Sequence, residues 1–80
     1  MTNTQEKLSP GSLVIERFGS PRAVEIAMAR VSETLPPTNR NISNWKDGLV
    51  PAKYMTWLLS AAKGAGVKLT HKELIEGGDA

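Results

Sequence analysis

Prolines and glycines divide this chain into short segments, and that division limits the fold more than any other feature of the sequence. Five prolines and seven glycines are spread over 80 residues. Breaks fall at residues 19–21, 36–37, 47–51 and 64–66, so every regular element must be short. Period-two alternation is almost confined to residues 67–69, which are too few to carry a sheet. The sequence predicts an all-α domain, a compact bundle of about five short helices.

The first two helices are predicted from apolar spacing and from helix-starting residues. An apolar stripe predicts a first helix over residues 12–18, ended by Gly19. Ser20 followed by Pro21 is a strong helix start, because the serine accepts free backbone N–H groups and the proline has no donor to lose there. The sequence leaves the end of this second helix open, since residues 30–37 either extend it or form a loop. Its apolar stripe consists of Ala23, Val24, Ala27, Met28 and Val31.

The third helix has the most unusual composition. Thr38 caps it, it covers residues 39–46, and a turn at residues 47–48 closes it. Ile42 and Trp45 stand three positions apart, as the apolar seam of a helix requires. The remaining side chains are polar, and asparagine is a poor helix former whose repeated use needs a reason. The asparagines of this segment are Asn39, Asn41 and Asn44.

The fourth and fifth helices are bounded by equally local signals. Pro51 opens the fourth helix, and the glycines of residues 64–66 end it. Thr70 with Glu73 three residues later forms a capping-box pattern, which predicts a last helix over residues 71–76. The apolar face of the fourth helix consists of Tyr54, Trp57, Leu58, Ala61, Ala62 and Ala65.

Composition places the chain in a broad class. We expect residues 1–8 to form a flexible tail, residues 9–76 a single domain, and residues 77–80 a frayed end. The chain has no cysteine, which excludes disulfides and thiolate metal sites. No signal-peptide core is present, and no apolar run approaches the roughly 18 residues that span a bilayer. We therefore expect a soluble, cytoplasmic protein with no membrane partner.

Charge and catalytic residues narrow the function further. The formal net charge is only +2, but residues 17–53 contain six basic against three acidic side chains. His71 is the only histidine and has no neighbouring ligand set, and none of the serines lies in a nucleophile elbow. We expect no enzyme activity, metal, cofactor or small-molecule substrate.

Three runs of residues carry a family resemblance. They are IERFGSPRAV at residues 15–24, NISNWK at residues 41–46, and VP at residues 50–51. Together they resemble the helix-turn-helix domain of lambdoid phage repressors, and most closely the all-helical Cro-type repressors. The resemblance extends over residues 13–74, which is most of the chain. It implies a lambda-repressor-like DNA-binding fold, in which the second helix crosses the DNA backbone and the third helix enters the major groove.

The resemblance also implies roles for individual residues. Base edges would be read by Asn39, Arg40, Asn41 and Asn44, because arginine pairs bidentately with guanine and asparagine with adenine. Phosphates would be contacted by Ser20, Arg22, Thr38, Ser43, Lys46 and Lys53. The implied partner is a double-stranded operator bound by a homodimer. The residues themselves suggest the dimer surface, because Tyr54, Trp57 and Leu58 are more apolar surface than one small core is expected to hide. The alternative is that Trp57 simply closes the core.

The sequence leaves other interpretations of the third helix and of the function open. The polar side chains of the third helix could form an ordinary solvated face. Residues 30–37 make the link between the second and third helices longer than the usual three or four residues, which leaves the docking angle undetermined. Within the regulator class, an antitoxin-like or excisionase-like protein fits equally well. From a different class, a protein-interaction module on a helix-turn-helix scaffold fits the long link and the low net charge.

Overall fold

The computed structural model describes residues 7–32 and 35–78. In these residues the backbone forms five α-helices, one 3-10 helix and no strand, which confirms the all-α bundle. An isolated bridge between Leu8 and Gly78 is the one extended pairing of the described residues. The helices are α1 Pro10–Phe18, α2 Pro21–Ala29, α3 Asn39–Ser43, α4 Met55–Ala65 and α5 His71–Glu76, with the 3-10 helix Ala52–Tyr54 before α4.

Serine–proline pairs start both of the first two helices. The Ser20 hydroxyl oxygen accepts from the Ala23 amide at 3.1 Å, which confirms the predicted start of α2. The predicted start of α1 at residue 12 was wrong, because Ser9 and Pro10 use the same chemistry two residues earlier. The Ser9 hydroxyl oxygen accepts from the Ser12 amide at 3.3 Å.

The ends of the later helices agree with the predictions to different degrees. The capping box of α5 is present in full, with Thr70 and Glu73 each accepting from the other's backbone amide. Helix α3 stops at Ser43, short of the predicted end, and a turn follows in which Asp47 adopts a φ of 62°. The fourth helix begins with the 3-10 turn rather than at Pro51, and Gly66 ends it in the left-handed conformation.

One core unites the helices. Ile42 and Trp45 belong to it, as the spacing of the third segment predicts. Because α2 packs against α1, α3 and α4, its Val24 and Met28 lie at the centre of the core. Ala65 is exposed, so the apolar face predicted for α4 ends one turn earlier. The buried apolar side chains are Leu13, Val14, Val24, Met28, Ile42, Trp45, Val50, Leu58, Ala61, Ala62 and Leu74.

The link between α2 and α3 is a loop, which settles the alternative that the sequence left open. Helix α2 ends at Ala29, and the described part of residues 30–38 contains no further helix. Leu35 within it is 89% exposed. No helix in the described part of the chain has the length and apolar character to cross a membrane.

The two ends of the described domain are joined, so Gly77 and Gly78 do not form the frayed end that was predicted for them. Leu8 donates its amide to the Gly78 carbonyl at 2.8 Å, and the Gly78 amide returns a bond to the Leu8 carbonyl at 3.1 Å. Gly77 is buried and has a φ of 79°. Residues 1–6 and 79–80 lie outside the described residues. Leu8, which was predicted to lie in the flexible tail, therefore belongs to the domain.

An ion pair fastens α5 to α1. The Arg17 guanidinium holds the Glu73 carboxylate with two bonds of 2.8 and 3.0 Å, and it also donates to the Lys68 carbonyl at 2.8 Å. The two side chains are 20% and 24% exposed, so solvent screens the pair only in part. The hydrogen bond from Arg17 lowers the pKa of Glu73 below its ordinary value of 4.5, with a smaller contribution from the Thr70 amide.

This ion pair predicts acid sensitivity. The unfolded chain binds the Glu73 proton more tightly than the folded chain, so protonation favours unfolding. The stabilisation is complete above pH 4.5 and is lost as the pH falls through the lowered pKa of the folded state. We expect Glu73→Gln to lower the free energy of unfolding by about 1 kcal/mol at pH 7 and to make little difference at pH 2. Urea unfolding at both pH values measures this.

Glu76→Gln is the matched control, because Glu76 is an exposed carboxylate on the same helix. Its unfolding curve should follow that of the parent protein at both pH values. A loss of stability in Glu73→Gln that is equally large at pH 2 would contradict the assignment to the ion pair.

Candidate nucleic-acid interface

Two core residues fix which face of α3 points outward. Ile42 is fully buried and Trp45 is 6% exposed, so this side of the segment faces the core. Successive helix residues are rotated by about 100°. Arg40 and Asn44 therefore lie on the face opposite Ile42, and both are exposed. The segment therefore presents the Arg40 guanidinium and the Asn44 amide to solvent, while Ile42 and Trp45 hold it against the core.

Both the backbone amide and the side-chain amide of Asn39 contact Glu25. Its backbone amide donates to one oxygen of Glu25 at 3.1 Å, and its side-chain amide lies 3.4 Å from the other oxygen. Glu25 belongs to α2, so the contact joins the two helices. The contact uses one of the two donors of the Asn39 side chain, so the predicted base-reading role of Asn39 would depend on its second donor and its carbonyl oxygen. Arg40, Asn41 and Asn44 are the other predicted reading residues, and all three are exposed.

The hydroxyl side chains of the predicted phosphate set serve the helices themselves. The Thr38 hydroxyl oxygen accepts from the Asn41 amide at 3.3 Å and so caps α3. The Ser43 hydroxyl donates to the Asn39 carbonyl at 2.8 Å, which uses the proton that a phosphate contact would need. Ser20 caps α2 in the same way as Thr38 caps α3. At the start of α3, the Asn39 amide donates to Glu25 and the Asn41 amide donates to Thr38. Two of the amides that have no partner within the helix are therefore satisfied by side chains.

A groove lies on one side of α3 and brings three predicted residues together. Asn41, Asn44 and Lys53 all line it. The groove has a volume of about 280 Å³. The Lys53 ammonium lies 5.1 Å from the centre of the Tyr54 ring, which keeps it over an aromatic face. The remaining lining residues are Trp45, Pro51 and Tyr54.

A second groove lies on the other side of α3. Lys46 and Ser43 line it together with Pro21, from the first turn of α2. Its volume is about 510 Å³. Glu16 and Asp47 also line this groove, so its charge is mixed. The third predicted cation, Arg22, is exposed in the first turn of α2. Lysines thus lie on both sides of the outward face of α3.

The predicted dimer surface needs a correction. Leu58 is fully buried in the core of the single chain and cannot contribute to an interface. Tyr54 and Trp57 are half-buried and pack against the core. Tyr54 stands between the two tryptophans, with its ring centre 5.7 Å from that of Trp45 and 5.8 Å from that of Trp57. These aromatic contacts close the core beside α3.

Sequence reasoning missed Glu25. Its partner lies 14 positions away across a loop, and nothing local distinguishes it from any solvated glutamate beside an apolar stripe. Tyr54, which was predicted as part of a dimer surface, also lines the first groove together with Lys53.

Comparison of the chain with protein-family models, curated proteins and solved structures gave no match. The interpretation of this surface therefore depends on its own chemistry.

Proposed function

We propose that this protein is a sequence-specific, double-stranded DNA-binding regulator of the Cro or repressor type, from a phage or prophage, that occupies an operator in the cytoplasm. One observation carries the proposal. The exposed Arg40 faces outward from α3, Asn44 follows it at the edge of the first groove, and each of the two grooves beside α3 is lined by a lysine. A helix in the major groove needs this order of charge, with base-reading side chains in the centre and cations toward the flanking phosphate strands.

The chemistry of the outward face fits base reading. Arginine can donate two parallel hydrogen bonds to guanine O6 and N7, and asparagine can donate to adenine N7 while its carbonyl oxygen accepts from the adenine N6 amino group. Each such pair discriminates against a wrong base by about 1–3 kcal/mol. Lys46 and Lys53 would hold the register through phosphates without reading sequence.

The length of α3 supports binding as a dimer. Five residues give a helix of about 7.5 Å, whereas base pairs are stacked every 3.4 Å or so. One copy can therefore read only two or three base pairs directly. A homodimer on a pseudo-palindromic operator doubles that number, with half-site centres about 34 Å apart. Blocking of polymerase access by occupancy is the mechanism that such a regulator would use.

A protein-interaction module is the second candidate. The observation in its favour is the set of carboxylates near α3, since Glu16 and Asp47 line the groove of Lys46. Negative charge at that position lowers the attraction to phosphates.

Selection of bound duplexes from a random pool separates the two candidates, because a regulator should recover a symmetric motif. The selected duplex should then lose affinity steeply with salt.

Two alanine variants test the roles assigned around α3. Arg40→Ala should relax the preference for one base pair of the selected duplex by about 1–3 kcal/mol. Lys46→Ala should weaken all duplexes by a similar factor and reduce the log–log salt slope by about 0.9. Fluorescence anisotropy on selected and scrambled duplexes at several salt concentrations measures both effects.

Lys72→Ala is the control for removal of an exposed lysine far from α3, on α5. Its affinity and salt slope should match those of the parent protein. If Arg40→Ala and Lys46→Ala behaved alike on all duplexes, the division into reading and phosphate-contacting residues would be wrong.

A further inference from the structure

Glu25 occupies an unusual position for a carboxylate in a DNA-binding surface. It lies in the middle of α2, is partly buried, and receives two donors from Asn39, the first residue of α3. A carboxylate at this point satisfies a free amide donor and complements the positive end of the short helix. It also places negative charge on the side of the protein that would approach phosphates. Because this charge weakens the attraction to phosphates, we expect Glu25 to have a structural role.

The loop between the two helices provides little control over how they are arranged. In helix-turn-helix domains a link of three or four residues fixes this geometry. Here nine residues, 30–38, separate the helices, and a longer link constrains its ends less. Of its described residues Pro37 is buried, and Val31 packs against the core. A link of this length restrains the start of α3 less than a link of three or four residues would.

The apolar contacts of α3 decide which side of it faces the core. Ile42 and Trp45 are both buried in the same core cluster as Val24 and Met28 of α2. Both stand three or more positions after Asn39, and apolar burial is non-directional, so the core restrains the start of α3 less closely than its outward face. Hydrogen bonds have preferred lengths and angles. The bond from the Asn39 amide to Glu25 therefore adds a directional restraint at the start of α3.

We infer that Glu25 is a positioning residue that fixes the first turn of α3 on α2 and thereby sets how the outward side chains of α3 approach the bases. The inference rests on the proposed function. Glu25 contacts no base in this arrangement and acts through Asn39. The reading side chains are then Arg40, Asn41 and Asn44, and Asn39 belongs to the helix junction.

The direction of the mutational effect separates positioning from simple charge. If Glu25 only repelled phosphates, Glu25→Gln and Glu25→Ala would tighten binding to every duplex. A positioning role predicts the opposite, a loss of about tenfold in Glu25→Ala on the selected duplex, with a smaller loss in Glu25→Gln, which keeps an acceptor oxygen. The affinity ratio between selected and scrambled duplexes should fall, whereas the salt slope should stay the same because the phosphate contacts are retained.

Two controls accompany these variants. Glu76→Gln removes the same charge from α5, which packs against α1 and α4, and should leave the affinity ratio unchanged. Leu35→Ser alters the link at an exposed position and should also leave it unchanged. Tighter binding of Glu25→Ala to all duplexes, or a preference equal to that of the parent protein, would overturn the inference.

A measurement without DNA tests the contact independently. The Asn39 amide should exchange its hydrogen more slowly in the parent protein than in Glu25→Ala, while amides in the middle of α4 exchange equally in both. Unchanged Asn39 exchange would refute the role of Glu25 even if DNA binds. If Asn39 exchange responds but no duplex is selected, the proposed function fails and Glu25 remains the residue that holds the start of α3 on α2.

Discussion

Gly11→Ala should lower the free energy of unfolding by about 3 kcal/mol, a large part of what a domain of this size possesses. Gly11 lies in the first turn of α1, and its amide donates to the Gly48 carbonyl at 3.0 Å. A methyl group there would lie 2.6 Å from the Trp45 carbonyl carbon and 2.8 Å from the Trp45 Cβ, closer than real side chains approach. Since the obstacle is largely backbone next to a buried ring, it cannot swing aside as a flexible side chain would.

Gly64→Ala is the matched control for Gly11→Ala. Gly64 also lies inside a helix, α4, but no atom stands within 4 Å of the position that a Cβ would take. Its replacement should raise the free energy of unfolding by about 0.5–1 kcal/mol, because alanine is the better helix former. Urea unfolding followed by circular dichroism measures both variants. Equal stabilities for the two would mean that α1 does not approach the Trp45 backbone closely.

The parts of the fold that were predictable depend on residues close together in the chain. Ser20 accepts from an amide three positions later, and so does Thr70, so these caps are visible in the sequence. The anchoring of α3 by Ile42 and Trp45 was equally visible, because helical spacing alone places them on one side. The error at the start of α1 was avoidable, since Ser9 and Pro10 repeat the signal that was recognised at Ser20.

Contacts between distant positions were not predictable. Glu73 meets Arg17 across 56 positions, and their pairing requires the whole bundle to be folded. Glu25 meets Asn39 only because the chain returns to α2 after a long loop. The same reason limits what the sequence says about the candidate site. The sequence identifies amide and guanidinium groups around α3, but only the packing of α2 shows that Asn39 contacts Glu25.

Ile42→Ala should lower the free energy of unfolding as much as Gly11→Ala does. The cause is a cavity in the core rather than a steric clash. Ile42 is fully buried and belongs to the core cluster that holds α3 on α2. Replacement by alanine removes its apolar contacts and leaves a cavity, which costs about 2–5 kcal/mol. Because α3 has only five residues, it cannot persist as a helix without that anchor. Its outward side chains should lose their fixed arrangement as the domain is destabilised.

Leu49→Ala tests whether burial causes this effect. Leu49 lies in the loop after α3 and is 75% exposed, so removal of its side chain should change the free energy of unfolding by less than about 0.5 kcal/mol. Urea unfolding of the two variants, followed by tryptophan fluorescence, gives the comparison. If Ile42→Ala were as stable as Leu49→Ala, Ile42 would not be the residue that fastens α3 to the core. The outward orientation of Arg40 and Asn44 would then lose its physical basis, and with it the proposed role in DNA recognition.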